Sequence, residues 1–408
     1  MLKARKRKPV LHQWGGGIAS FFSYTHLSHD LCTGLLVALL PLIREGLGLS
    51  YLQSGLLLSA YTITSGLSQF LGGWIGDRVS RHIVIAIGLG GVGLTTLVVG
   101  LSPAYYPMLV ILVIMGIFAG GYHPSTISML SGYFEEARRG KVIALHMVGG
   151  SIGFAIGPVL GGLIADMLGW RFAFIILSIP ALVAVPLMLK KFGQQGPMNS
   201  IQSGNQPSTN DDTTSKPMRH GISIFQVLRP LAIIFVLAIL MQFIAGSAMV
   251  FIPIFLVDKH NVAPAYAAMM MGIVRTGGIA GSLFGGWLSD KWGRKNAIFL
   301  ALVGTGPILY LLTQIPFNVG LIVILILFGV LMYMRQATVQ PFLMDNVPSQ
   351  LRATIFGIYF GLGMEGMSLA QPVAGYFMDI FGITEVFSVI ALISIGLSLV
   401  ALFLAKKA

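Results

Sequence analysis

Long apolar runs separated by short polar segments dominate this chain. Runs long enough to cross a bilayer recur twelve times, six on each side of a polar stretch near the middle. They lie at residues 17–43, 51–76, 83–101, 107–132, 142–166 and 171–189, and at 230–257, 264–289, 297–314, 318–344, 353–378 and 383–405. A membrane helix needs about 20 apolar residues. The pattern therefore predicts an all-α polytopic membrane protein with twelve transmembrane helices.

The two sets of runs are related by an internal repeat. Residues 72–82 read GGWIGDRVSRH, and residues 285–295 read GGWLSDKWGRK. A second echo pairs GPVLGGLIADMLG from Gly157 with QPVAGYFMDIFG from Gln371. Repeats of this kind predict two pseudo-symmetric six-helix bundles, and parallel six-helix repeats are the plan of one large class of secondary transporter.

A polar stretch separates the two sets. Between residues 193 and 221 the only aliphatic residue besides Gly, Pro and Met is Ile201, so this stretch cannot bury a core. Just after it, Ile222, Phe225 and Leu228 suggest a short helix at the membrane surface. We therefore expect a basic N-terminus at 1–16, an N-terminal bundle at 17–190, a linker at 191–229 and a C-terminal bundle at 230–405.

Charge placement predicts the topology. The chain has 55% hydrophobic and 10% charged residues, a mean hydropathy of +0.83 and a formal net charge of +12, which excludes a soluble enzyme. Its 26 Lys and Arg residues flank the apolar runs on the side of the N-terminus, except Arg44, Arg171 and Lys259 on the opposite side and Arg275 and Arg335 inside runs. This asymmetry predicts a plasma (inner) membrane protein with both termini and the linker in the cytoplasm, and it argues against a nucleic-acid partner.

A loop motif occurs in both halves. Gly, Asp and basic residues recur at fixed spacing after the second run of each half, with Ser80 where the second copy has Gly293. The residues are Gly73, Asp77, Arg78 and Arg81 in the first copy, and Gly286, Asp290, Lys291, Gly293, Arg294 and Lys295 in the second. This motif resembles the loop between spans 2 and 3 of the major facilitator superfamily, and the resemblance covers almost the whole chain outside the linker and the termini.

Two roles are open for the loop motif. The glycines would let two helices approach closely, and Asp77 and Asp290 would face the positive end of a neighbouring helix. If these contacts form in one conformation and break in another, the residues act as gates of alternating access. The alternative is that they only fix topology and the shape of the loop.

The fifth run carries small residues at helical spacing, followed by a proline. They are Gly153, Gly157, Pro158, Gly161 and Gly162. The spacing is similar to the signature of the antiporter branch of the superfamily, although Ala144 stands where that signature begins with glycine. The resemblance favours export, whereas simple helix packing accounts for the same spacing.

Residues 116–124 of the fourth run resemble another motif of the superfamily. Four residues before Gly116, Leu112 stands in place of an arginine that the resemblance links to proton transfer. His123 lies near mid-membrane in the same run and is a substitute for that arginine. His29, Asp30 and the YHPS segment at residues 122–125 resemble fosmidomycin-resistance-like exporters. This resemblance implies export of small, drug-like or anionic compounds.

Ionisable residues near mid-membrane are candidates for function because burying them is unfavourable. They are Asp30, His123, Arg275, Arg335 and Glu365. By the resemblance, spans 1, 4, 7 and 10 line a central cavity. Asp30 is the first candidate for the proton carrier, because a change of neighbours during transport can load and release a proton on a buried carboxylate. His123 and Glu365 are further candidates for proton coupling.

The remaining candidates concern the substrate. Arg275 and Arg335 offer paired donors to a carboxylate or phosphonate, or they are permanent partners of Asp30 and Glu365. His26 and His29 share a helical face with Asp30, either as a relay and substrate-binding pair or as structural residues. Tyr122 and Gln336 are weaker lining candidates, and His146, close to Lys141, is expected at the membrane interface.

No motif indicates an enzyme. HExxH, CxxC and a P-loop lysine motif are absent from the sequence, so we expect no metal site, no cofactor and no ATP dependence, with the proton gradient as the energy source. The sequence thus predicts a transporter that works as a monomer in the lipid bilayer and exchanges a small molecule against protons. The alternatives are a proton-coupled importer of organic anions or metabolites, and a non-transporting sensor or assembly factor with a transporter fold.

Overall fold

The computed structural model describes residues 16–76, 78–193, 227–348, 351, 355, 358, 359, 362, 363 and 366–405. Within these residues the structure consists of helices and short connections. The long helices are α1 Gly16–Leu47, α2 Tyr51–Gly76, α3 Arg81–Leu101, α4 Tyr105–Tyr133, α5 Glu136–Leu168, α6 Trp170–Phe192, α7 Ala232–His260, α8 Pro264–Trp292, α9 Arg294–Gln314, α10 Val319–Asn346, α11 Gly366–Phe381 and α12 Ile383–Ala405. The predicted all-α fold of twelve helices is confirmed.

Ten of these helices are long and apolar enough to cross a membrane. The two others are α2 and α11. The described part of α11 is 16 residues long, and α2 carries several Ser, Thr and Gln residues along its length. Both helices lie between the two halves of the molecule, and Ser59 of α2 donates a hydrogen bond to the carbonyl oxygen of Ser368 in α11. The protein is therefore a multi-pass membrane protein.

The internal repeat is visible in the helix boundaries. Helices α3 and α9 begin at Arg81 and Arg294 and end at Leu101 and Gln314, and each pair of boundaries is 213 residues apart. The same offset relates the final residues of α1 and α7 and those of α5 and α11. Packing repeats as well, since α2 packs on α4 as α8 packs on α10. Residues 213 apart are therefore structural equivalents.

Two helix pairs make the largest contacts between the halves: α5 packs on α8, and α2 packs on α11. The face that holds Gly16 of α1 and Ala405 of α12 is called here the terminal face, and the other end of the bundle the opposite face. At the opposite face, a Cβ built on Gly55 of α2 would lie 2.6 Å from the carbonyl oxygen of Gln371, and one on Gly162 of α5 would lie 2.6 Å from that of Ala265. Such close approach requires glycine at both positions.

The small residues of the fifth run form a packing face in α5. Gly153, Gly157 and Gly161 all face α1, where an added Cβ would meet Leu27, Leu31 or Leu35. Pro158 lies inside the helix. Gly162 points instead to α8 in the other half. The role of this stretch in antiport stays a prediction.

Several sequence predictions concern residues outside the described ranges. The basic N-terminus up to residue 15, residues 194–226 of the linker, Asp77 and Glu365 are among them. Of the predicted surface helix, Ile222 and Phe225 also lie outside, whereas Leu228 is part of a short helical turn before α7.

Candidate functional site

Asp30 lies in the middle of α1 and is 4% exposed. Each of its carboxylate oxygens has a histidine partner. His26 Nε2 is 3.2 Å from Oδ2, and His29 Nδ1 is 2.8 Å from Oδ1. His123 of α4 approaches more loosely, with Nε2 4.0 Å from Oδ1. Asp30, His26, His29, His123 and His146, described below, form what is called here the Asp30 cluster.

The hydrogen bonds of His26 determine where its protons lie. Its Nδ1 is 2.9 Å from the carbonyl oxygen of His146, and a carbonyl oxygen can only accept, so Nδ1 carries a hydrogen. The other nitrogen, Nε2, faces the carboxylate of Asp30. Since two bare acceptors would repel at this distance, one proton lies between His26 Nε2 and Asp30 Oδ2. The pair is thus arranged to hold a single exchangeable proton.

His146 belongs to this cluster, so its predicted place at the membrane interface is wrong. Its side chain is fully buried, and its ring stacks on His26 with centroids 4.2 Å apart. Its Nδ1 donates to the carbonyl oxygen of Phe22 over 2.9 Å. The reason for the error is that α5 begins at Glu136, ahead of the predicted residue 142, which moves His146 about 9 Å deeper at 1.5 Å per residue.

Aromatic contacts hold the cluster from the side of α4. Tyr122 stacks on His29 with centroids 4.5 Å apart and shares a hydrogen bond of 2.8 Å with Thr25. The side chain of His123 is 37% exposed, against 5% for Asp30, so it is the accessible member of the pair. His26, Asp30 and His123 also offer donor atoms within 4.8 Å of one another, a spacing that can suit a metal ion. Both Asp30 oxygens have histidine partners, at 3.2 and 2.8 Å.

Arg335 lies in α10 and is 1% exposed. Its NH1 donates to the carbonyl oxygen of Ala238 over 2.6 Å, and its NH2 donates to Oε1 of Gln242. The repeat makes Arg335 the equivalent of Tyr122. The two partners of Arg335 are in turn the equivalents of Thr25 and His29, which Tyr122 contacts in the first half.

Arg275 lies in α8 and is half-buried. It donates to the hydroxyl of Tyr333, and its guanidinium carbon lies 5.0 Å from the ring centroid of Phe154 in the other half. Neither Arg275 nor Arg335 forms an ion pair with a carboxylate of the described residues. The alternative in which an arginine is the permanent partner of Asp30 is therefore wrong, while pairing with Glu365 lies outside the described residues.

The other predicted residues lie apart from these sites. Gln336 follows Arg335 but is exposed. Among the gating candidates, Asp290 is exposed, Lys291 lies over Trp287, and Arg294 pairs with Asp345 of the same half over 2.6 Å. Arg78 is exposed as well. Asp77 lies outside the described residues, and for Gly73 only the place in α2 is described.

The close-approach role predicted for Gly286 is wrong. A Cβ built at Gly286 would meet no described atom within 4 Å, whereas one at Gly285 would lie 2.9 Å from Met334 Cγ. The equivalent in the first half is Gly72, which touches Gly121 of α4. The glycine that allows α8 to approach α10 is thus the residue just before the one that the motif suggested.

A polar closure at the opposite face was not predicted from the sequence. Arg44 and the hydroxyl of Tyr51 both bind Asp258 of α7, over 3.0 and 2.6 Å. Asp379 of α11 accepts hydrogen bonds from the backbone N–H groups of Tyr51 and Leu52, over 2.8 and 2.9 Å. A carboxylate at a helix N-terminus is stabilised by the free N–H groups and the helix dipole. These contacts tie the two halves together at this face.

Comparison with known proteins agrees with this architecture. A family profile described as Major Facilitator Superfamily matches residues 22–370. The chain is 22% identical to the fosmidomycin resistance protein of Escherichia coli (strain K12), over 95% of this chain and 92% of that protein. It is 24% identical to the cis,cis-muconate transport protein of Acinetobacter baylyi, over 90% and 88%. A crystal structure of a bacterial homologue of the human lysosomal transporter Spinster, in an inward-facing and occupied conformation, has the same fold, with a TM-score of 0.79, 15% identity and 97% of each chain covered.

Proposed function

The chain belongs to the major facilitator superfamily, and we propose that this membrane transporter exports small anionic compounds in exchange for protons by alternating access. The observation that carries the proposal is the Asp30 cluster. A carboxylate lies deep within the helix bundle, and both its oxygens are paired with histidine nitrogens. Burying an ionisable residue in a membrane protein is unfavourable, so such a residue is a functional candidate by default.

Proton exchange needs a path as well as a site. His123 supports one, because its side chain is partly exposed while its Nε2 reaches to 4.0 Å from Asp30. A proton that enters on His123 passes to Asp30 and is then shared with His26. His29 binds the second oxygen of Asp30 and holds the carboxylate in place. Glu365, the third candidate for proton coupling, remains a candidate from the sequence alone.

An anionic substrate is supported by Arg275, and Arg335 adds a second positive charge in the same half. Two guanidinium groups lie within the helices of the second half without an ion-pair partner among the described carboxylates. The names of two relatives point to the same chemistry, since fosmidomycin is a phosphonate and cis,cis-muconate a dicarboxylate. Guanidinium groups bind both kinds of anion through paired hydrogen bonds.

Alternating access is supported by the contacts at the opposite face, where Arg44, Tyr51 and Leu52 bind Asp258 and Asp379. By the distribution of basic residues, we place the terminal face in the cytoplasm of a plasma membrane. The conformation is then closed to the outside. Asp290 and its loop act as gates when the terminal face closes. A monomer contains all of these residues.

The test uses purified protein in liposomes with fosmidomycin and cis,cis-muconate as probes. An imposed proton gradient is expected to drive uptake of at least one probe against its own gradient by the wild type. Asp30→Asn is expected to lose this drive and to retain exchange of the probe down its gradient. Asp166→Asn, which changes an exposed acid of α5, is the matched control. Unchanged proton-driven transport by Asp30→Asn would refute the proposal.

Import of organic anions is the second candidate, favoured by the muconate transport relative. The two directions differ in a growth test. In an efflux-deficient bacterial host, export predicts that the wild type raises resistance to fosmidomycin, whereas import predicts greater sensitivity. The wild type and Asp30→Asn are compared at matched membrane levels, so that a difference in growth reflects transport and not expression.

A further inference from the structure

We propose that Arg275, between Phe154 and Tyr333, binds the carboxylate or phosphonate group of the transported anion, and that Phe154 links this site to Asp30. The inference rests on the proposed function and assigns its substrate site. The proposed site combines residues from both halves, because Phe154 belongs to α5, Arg275 to α8 and Tyr333 to α10.

Arg275 has the depth and the free donors that such a site needs. It lies eleven residues from the start of α8 at Pro264, about 16 Å at 1.5 Å per residue, which is close to the middle of a bilayer. Tyr333 accepts one of its hydrogen bonds, and Phe154 covers the face of its guanidinium. A guanidinium has five N–H donors, so its edge keeps a pair of donors for an anion. Its half-buried side chain is accessible to a ligand, unlike that of Arg335.

Arg335 has a different position. Both of its terminal nitrogens donate to groups of α7, the carbonyl oxygen of Ala238 and the side chain of Gln242. Its equivalent, Tyr122, likewise attaches α4 to α1. The repeat therefore explains Arg335 as a residue that holds α10 against α7. Arg275 differs, because its contact with Phe154 crosses between the halves.

A continuous row of contacts along α5 leads from Asp30 to Arg275. His146, Gly150 and Phe154 follow one another at intervals of four residues and so share one helical face. His146 stacks on His26, and Gly150 lies against both His26 and Asp30.

Phe154 completes this row. A Cβ built at Gly34, one turn beyond Asp30 in α1, would lie 3.1 Å from Phe154 Cδ1. The guanidinium of Arg275 lies over the same ring, 5.0 Å from its centroid. A shift of α1 against α5 when Asp30 gains or loses its proton therefore moves the ring on which Arg275 rests. Phe154 is a positioning residue, and Arg275 is the residue that contacts the substrate.

The surroundings also define the ligand. A cation flanked by the ring of Phe154 and the phenol of Tyr333 suits a small anion with an apolar or conjugated body. The charged group would bind the edge of the guanidinium, and the body would contact the rings. Both probes, cis,cis-muconate and fosmidomycin, carry such a charged group.

The first experiment measures equilibrium binding of the two probes to the full-length protein in detergent. Arg275→Gln is expected to weaken binding by about tenfold or more, and Arg275→Lys to restore only part of it, because an ammonium lacks paired donors. Wild-type affinity in Arg275→Gln, or binding of neither probe by the wild type, would overturn the assignment. Binding does not depend on a proton gradient, so this result is independent of the Asp30→Asn test.

The second experiment measures the number of protons moved per anion in liposomes. Phe154→Leu removes the ring and is expected to lower this ratio, whereas Phe154→Trp keeps an aromatic face for Arg275 and is expected to restore the ratio. Phe174→Leu, a buried phenylalanine of α6 in the same half, is the control for packing alone. A ratio that stays at the wild-type value in Phe154→Leu, or that falls equally in Phe174→Leu, would refute the link.

Discussion

Gly150 of α5 lies against the two side chains that share a proton, and Gly150→Ala is expected to separate them. A Cβ at this position would be 2.7 Å from Asp30 Oδ2 and closer still to His26 Nε2. Nonbonded carbon contacts are optimal at about 3.5–4.0 Å, so one or both side chains must retreat by about 1 Å. The His26–Asp30 contact is 3.2 Å long, and a retreat of this size takes it beyond hydrogen-bond distance.

The magnitude follows from the bond that is lost. A hydrogen bond to a charged group contributes about 1.5–3 kcal/mol, which corresponds to about 10- to 150-fold in the equilibrium that loads the proton. Proton-driven transport of the probe anions should fall by a similar factor. Overpacking adds about 1–3 kcal/mol of destabilisation, which a lower melting temperature of the purified protein would report.

The assay compares the wild type with Gly150→Ala and Gly140→Ala in liposomes with an imposed proton gradient. Gly140 lies in the same helix, and an added Cβ there would meet no described atom within 4 Å, so it controls for the change in helix propensity. Exchange of the anion without a gradient is measured in parallel. If Gly150→Ala were folded and transported with the same dependence on the gradient as Gly140→Ala, the proton would not be held by this pair.

Two further predictions concern residues that sequence reasoning missed. Asp379→Asn removes the carboxylate that accepts hydrogen bonds from the N–H groups of Tyr51 and Leu52. If these contacts stabilise the closed opposite face by about 1–2 kcal/mol, their loss should raise the population that is open at this face by about 5- to 30-fold. Spin labels at Leu101 and Gln314, in a protein whose single cysteine is replaced by Cys32→Ser, would report this opening as a longer distance between the labels. Asp166→Asn changes the repeat equivalent of Asp379 and should leave this distance unchanged. His146→Phe keeps a ring against His26 and keeps the backbone carbonyl that His26 binds. It removes the hydrogen bond to Phe22, so it should lower the melting temperature but not the number of protons moved per anion. Loss of coupling would show that the His146 side chain itself carries protons.

The fold was predictable because membrane helices are recognisable from composition and length alone. The repeat was visible as well, because the similar segments GGWIGDRVSRH and GGWLSDKWGRK begin at equivalent positions of α2 and α8. The grouping of His26 and His29 around Asp30 was also accessible, because residues three and four apart share a helical face. Local spacing was sufficient in each of these cases.

Contacts between distant helices were not accessible in this way. The carboxylate of Asp379 binds backbone groups of α2 more than 300 residues away along the chain, and no spacing rule connects them. The same holds for the ring of Phe154 beneath Arg275. The depth of His146 depended on where α5 begins, and helix boundaries are the least certain part of a sequence-based prediction.

Equivalent positions of the two halves show how one architecture accommodates two chemistries. In the first half, α4 contacts α1 through Tyr122, Thr25 and His29, next to a carboxylate. In the second half, α10 contacts α7 through Arg335, Ala238 and Gln242 at the same places, and the equivalent of Asp30 is Phe243. Among these equivalent positions, the groups that can exchange a proton near neutral pH lie in the first half, whereas the guanidinium in the second half keeps its charge. A proton site in one half and an anion site that both halves share would let loading of the first change the geometry of the second, which is what coupling in an alternating-access transporter requires.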